Sequence, residues 1–185
     1  MSEALLDERP LHVVGFAGYS GSGKTTLVEQ LVGHFKQAGL VVSVIKHAHH
    51  DFDIDHPGKD SWRHRKAGAH EVLVASAFLV ALQRESAKPE EHSVETLLPM
   101  LHKVDWVLVE GFKHAPIPKI EVRRQRAGKP VCYPDDAHIL AIATDEPHHL
   151  PQPTTATLLD INQPAAVAQW LLDNHLLFRR ADASS

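Results

Sequence analysis

A glycine-rich segment between an apolar run and an amphipathic pattern constrains the fold of this chain most strongly. Residues 18–25 read Gly-Tyr-Ser-Gly-Ser-Gly-Lys-Thr and match the phosphate-binding pattern G-x-x-x-x-G-K-[ST]. An apolar run over residues 13–17 precedes the segment, and apolar residues at helical spacing follow it at positions 27, 28, 31, 32 and 35. This order predicts a strand, a phosphate-binding loop and a helix.

The chemistry expected of such a loop follows from its residue types. Glycines allow the backbone to turn tightly and to aim several N–H groups inward, and the start of the helix adds the positive end of its dipole. Lys24 is predicted to reach the outer phosphates of a nucleotide, and the hydroxyl group of Thr25 is predicted to bind Mg²⁺. The alternative is a glycine-rich turn that only opens a helix.

An apolar strand that ends in a carboxylate is the second chemical feature. Residues 103–111 read Lys-Val-Asp-Trp-Val-Leu-Val-Glu-Gly, so that Glu110 stands at the C-terminal end of the apolar run. A carboxylate in that place fits the residue that holds Mg²⁺, or its bound water, beside a phosphate loop. Asp105 stands at the opposite end of the strand and is the weaker choice. The alternative is an ordinary strand with a capping glutamate.

Length and composition favour one water-soluble domain. With 185 residues, the chain is long enough for a substantial core, which we place at residues 11–178 between a flexible N-terminus at 1–10 and a flexible tail at 179–185. The net charge of -4 argues against general nucleic-acid binding. No apolar run approaches the roughly 20 residues that cross a bilayer. Cys132 is the only cysteine, which excludes an internal disulfide and favours a cytoplasmic location.

Strand and helix patterns alternate along the chain, which predicts an α/β fold. Apolar runs at 71–75 and 78–82 are so close that they must form an antiparallel hairpin, and we expect a mixed sheet. The run at 40–45 is typical of a strand covered on both faces, whereas the alternation within 117–126 predicts one solvent-facing side. The other predicted strands are 11–17, 103–111 and 138–143, and the predicted helices are 24–38, 62–67, one from residue 93, and 164–177.

A segment rich in histidine and aspartate covers residues 46–61 and follows the C-terminal end of a predicted strand. Ligands bind at that edge of open α/β sheets, so we expect a switch-like loop near the γ-phosphate, with Lys46 touching phosphate. The alternative is a transition-metal site, because imidazole and carboxylate both suit zinc or nickel. If the chain hydrolyses nucleotide, the candidates for orienting the attacking water are His50, Asp51 and Asp53.

Six motifs together resemble one family, the molybdopterin-guanine dinucleotide biosynthesis adapter proteins, or MobB family. The resemblance extends over essentially the whole domain, and it implies a P-loop NTPase fold: a three-layer α/β sandwich whose mostly parallel sheet is accompanied by an antiparallel hairpin. The motifs are G-Y-S-G-S-G-K-T-T at 18–26, I-K-H-A-H-H-D-F-D-I-D-H-P-G-K-D-S at 45–61, R-K-A-G-A at 65–69, V-E-G-F-K-H at 109–114, P-K-I-E at 118–121 and L-L-D-I-N at 158–162.

The resemblance also implies a function and a set of site residues. MobB proteins are homodimeric, GTP-binding adapters that assist attachment of GMP to molybdopterin, while the partner enzyme MobA performs the nucleotidyl transfer. Hydrolysis of GTP by the adapter is at most slow, and GTP and Mg²⁺ are the implied cofactors. The motif positions imply magnesium binding by Thr25 and Glu110, and phosphate binding by Gly21, Ser22, Gly23, Lys24, Thr25 and Thr26.

Recognition of guanine does not follow from the usual side-chain code, because the sequence has no N-K-x-D or T-K-x-D motif. Thr144 and Asp145 follow a late strand, and we state as a hypothesis that Asp145 accepts hydrogen bonds from guanine. A strip at residues 103–129 has a local charge of +4, which suits an anionic pterin phosphate or an acidic partner, or is a solvated strand face. Its basic residues are Lys103, Lys113, Lys119, Arg123, Arg124, Arg126 and Lys129.

The alternative function is that of a P-loop small-molecule kinase. A kinase needs an acceptor pocket and usually arginines that close over the phosphates. Arg63 and Arg65 are the candidates for that task, but the sequence has no lid of adequate length. The adapter is therefore the preferred interpretation.

Overall fold

The computed structural model describes residues 10–48, 52–125 and 128–180. The predictions for the N-terminus, for the end of the tail and for the candidate residues His50 and Asp51 lie outside these ranges. Within the described ranges, no helix has both the length and the apolar character that a membrane crossing requires.

Spatial contacts divide the chain into two compact units, one formed by Met1–His47 with Ser93–Ser185 and the other by Ala48–His92. The elements, in chain order, are β1 (His12–Ala17), α1 (Lys24–Gln37), β2 (Val42–Lys46), α2 (Asp60–Lys66), β3 (Glu71–Ala75), β4 (Val80–Arg84), α3 (Val94–Leu97), β5 (Trp106–Glu110), β6 (Lys119–Arg123), β7 (Ile139–Thr144), β8 (Thr157–Asp160) and α4 (Pro164–Asp173), with 3₁₀ helices at Leu98–Met100 and His175–Phe178.

The first unit is built on a six-stranded sheet in the order β2-β5-β1-β6-β7-β8, and every pair of neighbours is parallel. The predicted α/β fold with a mostly parallel sheet and an antiparallel hairpin is confirmed. The expectation of one mixed sheet is wrong, because β3 and β4 pair only with each other among the described residues. Strand β8 was not predicted as a sheet member, since its four residues are too few to show a period.

Apolar residues cover both faces of this sheet, because alternate residues of a strand point to opposite sides. On one face Val14, Phe16 and Leu108 belong to a core that also contains the buried side chains of α1 and α4. On the other face Val13 and Val107 pack with α3 and with the loop that follows β5. These are the three layers expected of the fold.

The structure corrects the predicted surroundings of two strands. Strand β2 lies at one edge of the six-stranded sheet, so Val44 is 43 % exposed rather than covered on both faces. Strand β6 is central, and of its expected solvent-facing residues Glu121 and Arg123, Glu121 is only 1 % exposed, as is Lys119 on the same side of the strand. The loop after β6 covers them, because the Glu121 carboxylate accepts hydrogen bonds from the backbone N–H groups of Cys132 and Tyr133.

Burial of these two charged side chains is compensated by specific partners. Lys119 Nζ pairs with Asp136 and donates hydrogen bonds to the carbonyl oxygens of Lys113 and Ala115. Burial raises the pKa of Glu121, although its two backbone donors oppose that shift. Because a buried charge needs such partners, both residues serve the structure of the loops around the sheet.

The second unit contains the helix α2 and the hairpin of β3 and β4, in which Ala75 lies opposite Val80. Arg65 of α2 ties this unit together by ion pairs with Asp53 and Glu85. The hairpin carries several exposed apolar side chains: Leu73, Val74, Phe78, Leu79, Val80 and Leu82.

At the opposite end of β1 from the glycine-rich loop, His12 is buried at 8 % exposure. Its ring stacks on Trp106 with 4.7 Å between the centroids, and Nδ1 lies 3.1 Å from the carbonyl oxygen of Asp105. Burial lowers the pKa of His12, and the charges of His175 and Arg179 lower it further. Within the described residues, Nε2 has no hydrogen-bond partner.

We expect this buried histidine to make stability depend on pH. A pKa below the ordinary value of 6.5 means that the unfolded chain binds the proton more tightly, so stability is complete above pH 6.5 and falls as the pH drops below it. Between pH 7.5 and 5.5 the wild type should lose up to about 1.4 kcal/mol more unfolding free energy than His12→Phe. Urea titrations at both pH values measure this difference.

The control for this prediction is His102→Gln, which removes an exposed histidine. That variant should lose as much stability on acidification as the wild type. Equal losses for the wild type and His12→Phe would show that His12 is not the responsible group.

Candidate functional site

The glycine-rich loop joins β1 to α1 at the carboxyl edge of the sheet. Gly18, Gly21 and Gly23 have φ angles of 139°, 81° and 96°, which residues other than glycine rarely adopt. A Cβ atom on Gly18 would lie 2.3 Å from the carbonyl oxygen of Val122, so the loop touches the end of β6 at this point. A Cβ atom on Gly21 would meet nothing within 4 Å. The loop is therefore fixed at its start and open at its middle.

Lys24 folds over this loop from the first position of α1. Its Nζ donates hydrogen bonds to the carbonyl oxygens of Gly18 and Tyr19, both at 2.8 Å. Partial burial lowers the pKa of Lys24, the charge of Lys46 lowers it further, and the charge of Glu110 opposes the shift. The ammonium group is held where the loop curves.

The residues present fit an anion of phosphate size. Ser22 is buried, and its Oγ has no hydrogen-bond partner among the described residues. The backbone N–H groups in the first turn of a helix have no intrahelical acceptors, and here they belong to Lys24, Thr25 and Thr26. Together with the Lys24 ammonium, these donors form a cradle for negative charge.

Thr25 and Glu110, the two predicted magnesium ligands, lie in direct contact. Thr25 Oγ1 donates a hydrogen bond of 2.6 Å to Glu110 Oε1. Glu110 shares a face of β5 with Trp106 and Leu108, which pack against α1, so strand alternation points the carboxylate towards Thr25. A hydroxyl and a carboxylate oxygen are hard oxygen ligands of the kind that Mg²⁺ prefers.

The residues after Glu110 tie the site to neighbouring elements. Gly111 has a φ angle of 96°, and a Cβ atom there would lie 2.7 Å from the Cβ atom of His47. Phe112 has a φ angle of 36°, which is uncommon for a residue other than glycine, and its ring lies edge-on to His47 at 4.9 Å. The motif V-E-G-F-K-H thus contains a close approach between the ends of β5 and β2.

Lys113 contacts the glycine-rich loop, which sequence reasoning did not foresee. Its Nζ lies 4.5 Å from the centre of the Tyr19 ring and donates a hydrogen bond of 3.3 Å to the Tyr19 hydroxyl. This hydrogen bond raises the pKa of Lys113. A third lysine therefore stands beside the loop, together with Lys24 and Lys46.

Asp145 lies at the C-terminal end of β7 among polar groups from three strand ends. Its carboxylate accepts hydrogen bonds from the Arg124 side chain at 3.4 Å and from the Gln125 backbone N–H at 3.1 Å. The Arg124 side chain also donates a hydrogen bond of 3.3 Å to Asn162 Oδ1. A Cβ atom on Gly23 would lie 3.4 Å from Arg124 Nε. Arg124 thus connects Asp145 with the last glycine of the loop, and no motif in the sequence indicated this role.

Three other predicted features remain, namely Asp53, the alternative transition-metal site and the basic strip. Asp53 belongs to the second unit, where a hydrogen bond from Arg65 lowers the pKa of its carboxyl group. Among the described residues there is no group of three or more metal-ligating side chains, so the alternative transition-metal site has no support there. The expected basic strip is interrupted, because Lys119 is buried.

Comparisons with known proteins agree on one family. A family model described as "MobB: Molybdopterin guanine dinucleotide synthesis protein B" matches residues 13–145. The molybdopterin-guanine dinucleotide biosynthesis adapter protein of Haemophilus influenzae is 43% identical over 162 residues, which cover 86% of each chain. The protein of the same name from Escherichia coli is 41% identical over 164 residues, covering 87% of this chain and 91% of its own.

A solved structure extends this similarity to the fold. The crystal structure of a molybdopterin-guanine biosynthesis protein B (mobB) superposes with a TM-score of 0.68 at 27% identity, covering 89% of this chain and 98% of the other. The range matched by the family model, residues 13–145, includes the glycine-rich loop, Glu110 and Asp145. The chain therefore belongs to the MobB family of molybdopterin guanine dinucleotide synthesis proteins.

Proposed function

We propose that this chain is a GTP-binding adapter in the biosynthesis of molybdopterin guanine dinucleotide. The observation that supports the proposal is the Thr25–Glu110 hydrogen bond beside the Lys24 ammonium, since the two proposed Mg²⁺ ligands lie next to the proposed phosphate-binding lysine at the carboxyl edge of the sheet. The related proteins from Haemophilus influenzae and Escherichia coli are named adapter proteins of this pathway.

The chain's own residues divide the task of binding a nucleoside triphosphate. The backbone N–H groups from Gly21 to Thr26 surround phosphate oxygens, and Lys24 exchanges its two carbonyl acceptors for the outer phosphates. Thr25 and Glu110 hold Mg²⁺, which neutralises negative charge on the phosphates. Lys46 and Lys113 add positive charge at the rim.

Asp145 is the proposed acceptor for the N–H groups of guanine. A carboxylate can accept both donors of the guanine edge, whereas adenine offers no matching pair. Arg124 holds Asp145 beside the glycine-rich loop, so the base contact and the phosphate contacts belong to one continuous site.

Asp145→Asn is expected to weaken GTP binding by about tenfold to 100-fold, the effect of losing a bidentate polar contact to a base. The affinity for ATP should change much less, so the ratio of the two affinities is the informative quantity. It is measured by equilibrium titration with each nucleotide in Mg²⁺. Arg124→Ala serves as the comparison, because it removes the neighbour of Asp145 and leaves the carboxylate. An unchanged GTP-over-ATP preference in Asp145→Asn would remove this assignment.

The described residues favour an adapter over an efficient enzyme. Asp53, one of the candidates for orienting water, has its carboxylate engaged by the Arg65 guanidinium. The same arginine also pairs with Glu85, so Arg65, one of the two arginines that a kinase could close over phosphates, is engaged within the second unit. GTP hydrolysis is therefore proposed to be slow at most, and the kinase alternative gains no support.

The proposed partners are enzymes of the same pathway, with MobA as the guanylyltransferase and molybdopterin as a further ligand. Arg123 and Arg124 are half-exposed basic residues at the nucleotide edge, where an acidic partner surface or a pterin phosphate would find positive charge. The exposed apolar hairpin of β3 and β4, with Phe78 100 % exposed, is the proposed contact between two copies in a homodimer. A monomeric mass at high micromolar concentration would contradict the dimer.

Affinity capture from a cell extract tests the adapter function. The immobilised full chain should retain the guanylyltransferase more strongly with GTP and Mg²⁺ than without nucleotide, whereas Lys24→Ala should retain the same small amount in both conditions. Retention of equal amounts of guanylyltransferase with and without GTP would contradict a nucleotide-dependent adapter. Rapid loss of the γ-phosphate that depends on an added acceptor would favour the kinase instead.

A further inference from the structure

A lysine side chain shares the two oxygen atoms that this site offers to a divalent cation. Lys46 Nζ lies 3.5 Å from Thr25 Oγ1 and 3.5 Å from Glu110 Oε1. The Lys46 side chain is 57 % exposed, whereas the Glu110 side chain is only 10 % exposed. The ammonium group therefore reaches from solvent onto a nearly buried carboxylate.

Strand register places Lys46 there. Lys46 is the last residue of β2, Glu110 is the last residue of β5, and the two are directly opposite each other in the parallel pair. Opposed residues of neighbouring strands point to the same face of a sheet, and this face carries α1 with Thr25. The backbone of three elements thus brings the ammonium and both oxygens together.

We propose that Lys46 competes with a divalent cation for Glu110 and Thr25 and acts as an internal cation of the phosphate site. The inference rests on the proposed function, because it concerns the Mg²⁺ site of the same nucleotide pocket. A doubly charged ion on these oxygens would repel an ammonium group a few ångströms away. Lys46 must therefore withdraw when the cation binds, and its exposed side chain has room to do so.

The charges around the site agree with this competition. Glu110 is flanked by two lysines, Lys24 on the loop side and Lys46 on the β2 side. The charge of Glu110 opposes the lowering of the Lys24 pKa, whereas the charge of Lys46 adds to it. When no divalent cation is bound, Lys46 neutralises Glu110, which would otherwise repel a nucleotide phosphate. Lys46 thereby makes nucleotide binding less dependent on Mg²⁺.

Binding of Mn²⁺ alone tests the competition without nucleotide. Full-length protein is freed of metal by dialysis against EDTA and then buffer, and free Mn²⁺ is measured by electron paramagnetic resonance. Lys46→Met, which removes the charge and keeps an unbranched side chain, should bind one Mn²⁺ about tenfold more tightly than the wild type. Glu110→Gln should reduce binding in either background.

The matched control is Lys36→Met, on α1 but roughly 18 Å along the helix axis from Lys24 at a rise of about 1.5 Å per residue. It should bind Mn²⁺ as the wild type does, which separates local competition from a general change in charge. Equal or weaker Mn²⁺ binding by Lys46→Met, or no saturable binding, would overturn the proposal.

A second titration separates this inference from the proposed function. The ratio of GTP dissociation constants in EDTA and in Mg²⁺ should be at least about tenfold larger for Lys46→Met than for the wild type, because the variant has lost its internal cation. An equal ratio would overturn the role of Lys46 while leaving GTP binding intact. Absence of GTP binding to the wild type would instead refute the proposed function, with the Mn²⁺ result standing by itself.

Discussion

Lys24→Ala should weaken GTP binding by at least about 100-fold, or about 3 kcal/mol, the largest effect expected of any single side chain in the site. The ammonium group already lies within the curve of the loop, where it donates hydrogen bonds to two carbonyl oxygens. Its partial burial means that it has little water to lose when phosphate replaces those oxygens. Equilibrium titration with a fluorescent GTP analogue measures the loss.

Lys36→Ala is the control for this variant, because it removes an exposed lysine from the other end of the same helix. It should bind GTP as the wild type does. Circular dichroism at increasing temperature checks that Lys24→Ala is folded at the assay temperature. A folded Lys24→Ala variant with an affinity within about twofold of the wild type would show that phosphate does not bind at this loop.

Gly18→Ala should both destabilise the protein and abolish GTP binding. The φ angle of 139° is unfavourable for alanine, and its Cβ atom would lie 2.3 Å from the backbone oxygen of Val122, which has no flexible end to move aside. Strained backbone and steric overlap together should cost about 3 kcal/mol or more of unfolding free energy. Urea denaturation measures that cost, and titration with GTP measures the loss of nucleotide binding that follows when the loop is distorted.

Gly21→Ala is the matched comparison in the same loop. Its φ angle of 81° also disfavours alanine, but the added Cβ atom would meet nothing within 4 Å. It should therefore cost only about 1 kcal/mol, the penalty for the left-handed conformation alone. Equal destabilisation by both substitutions would mean that the contact between Gly18 and β6 does not constrain the loop.

The glycine-rich loop and the proposed metal-ligand pair, Thr25 and Glu110, could be named from the sequence because each stands in a local pattern. The spacing from Gly18 to Thr25 fixes the order of strand, loop and helix. An apolar run that ends in Glu110 identifies a carboxylate at the carboxyl edge of the sheet, and the structure places it 2.6 Å from Thr25. Local order and strand alternation identify the two residues, and the parallel pairing of β1 with β5 brings them together.

The other contacts of the site depend on which strands are neighbours, and sequence patterns do not contain that information. Lys46 meets Glu110 only because β5 lies between β1 and β2. Lys113 reaches Tyr19, and Arg124 reaches Asp145, across loops that have no periodic pattern. These long-range contacts had to come from the structure.

Lys119 and Glu121 show why an alternating pattern can mislead. Charged residues at every second position of β6 predict a solvent-facing side when neighbours are ignored. Residues 132–136 cover that side, with Cys132 and Tyr133 donating to Glu121 and with Asp136 paired to Lys119. The cover could not be predicted, because it depends on backbone N–H groups and on a long-range ion pair that the strand pattern does not show.

The central claim, that this MobB-family chain holds GTP and Mg²⁺ at its glycine-rich loop, is tested most directly by isothermal titration calorimetry of the full chain with GTP and, separately, with ATP. In Mg²⁺ we expect one GTP site per chain and a lower affinity for ATP. Saturable binding should disappear in Lys24→Ala. No saturable heat with GTP, or tighter binding of ATP than of GTP, would contradict the claim.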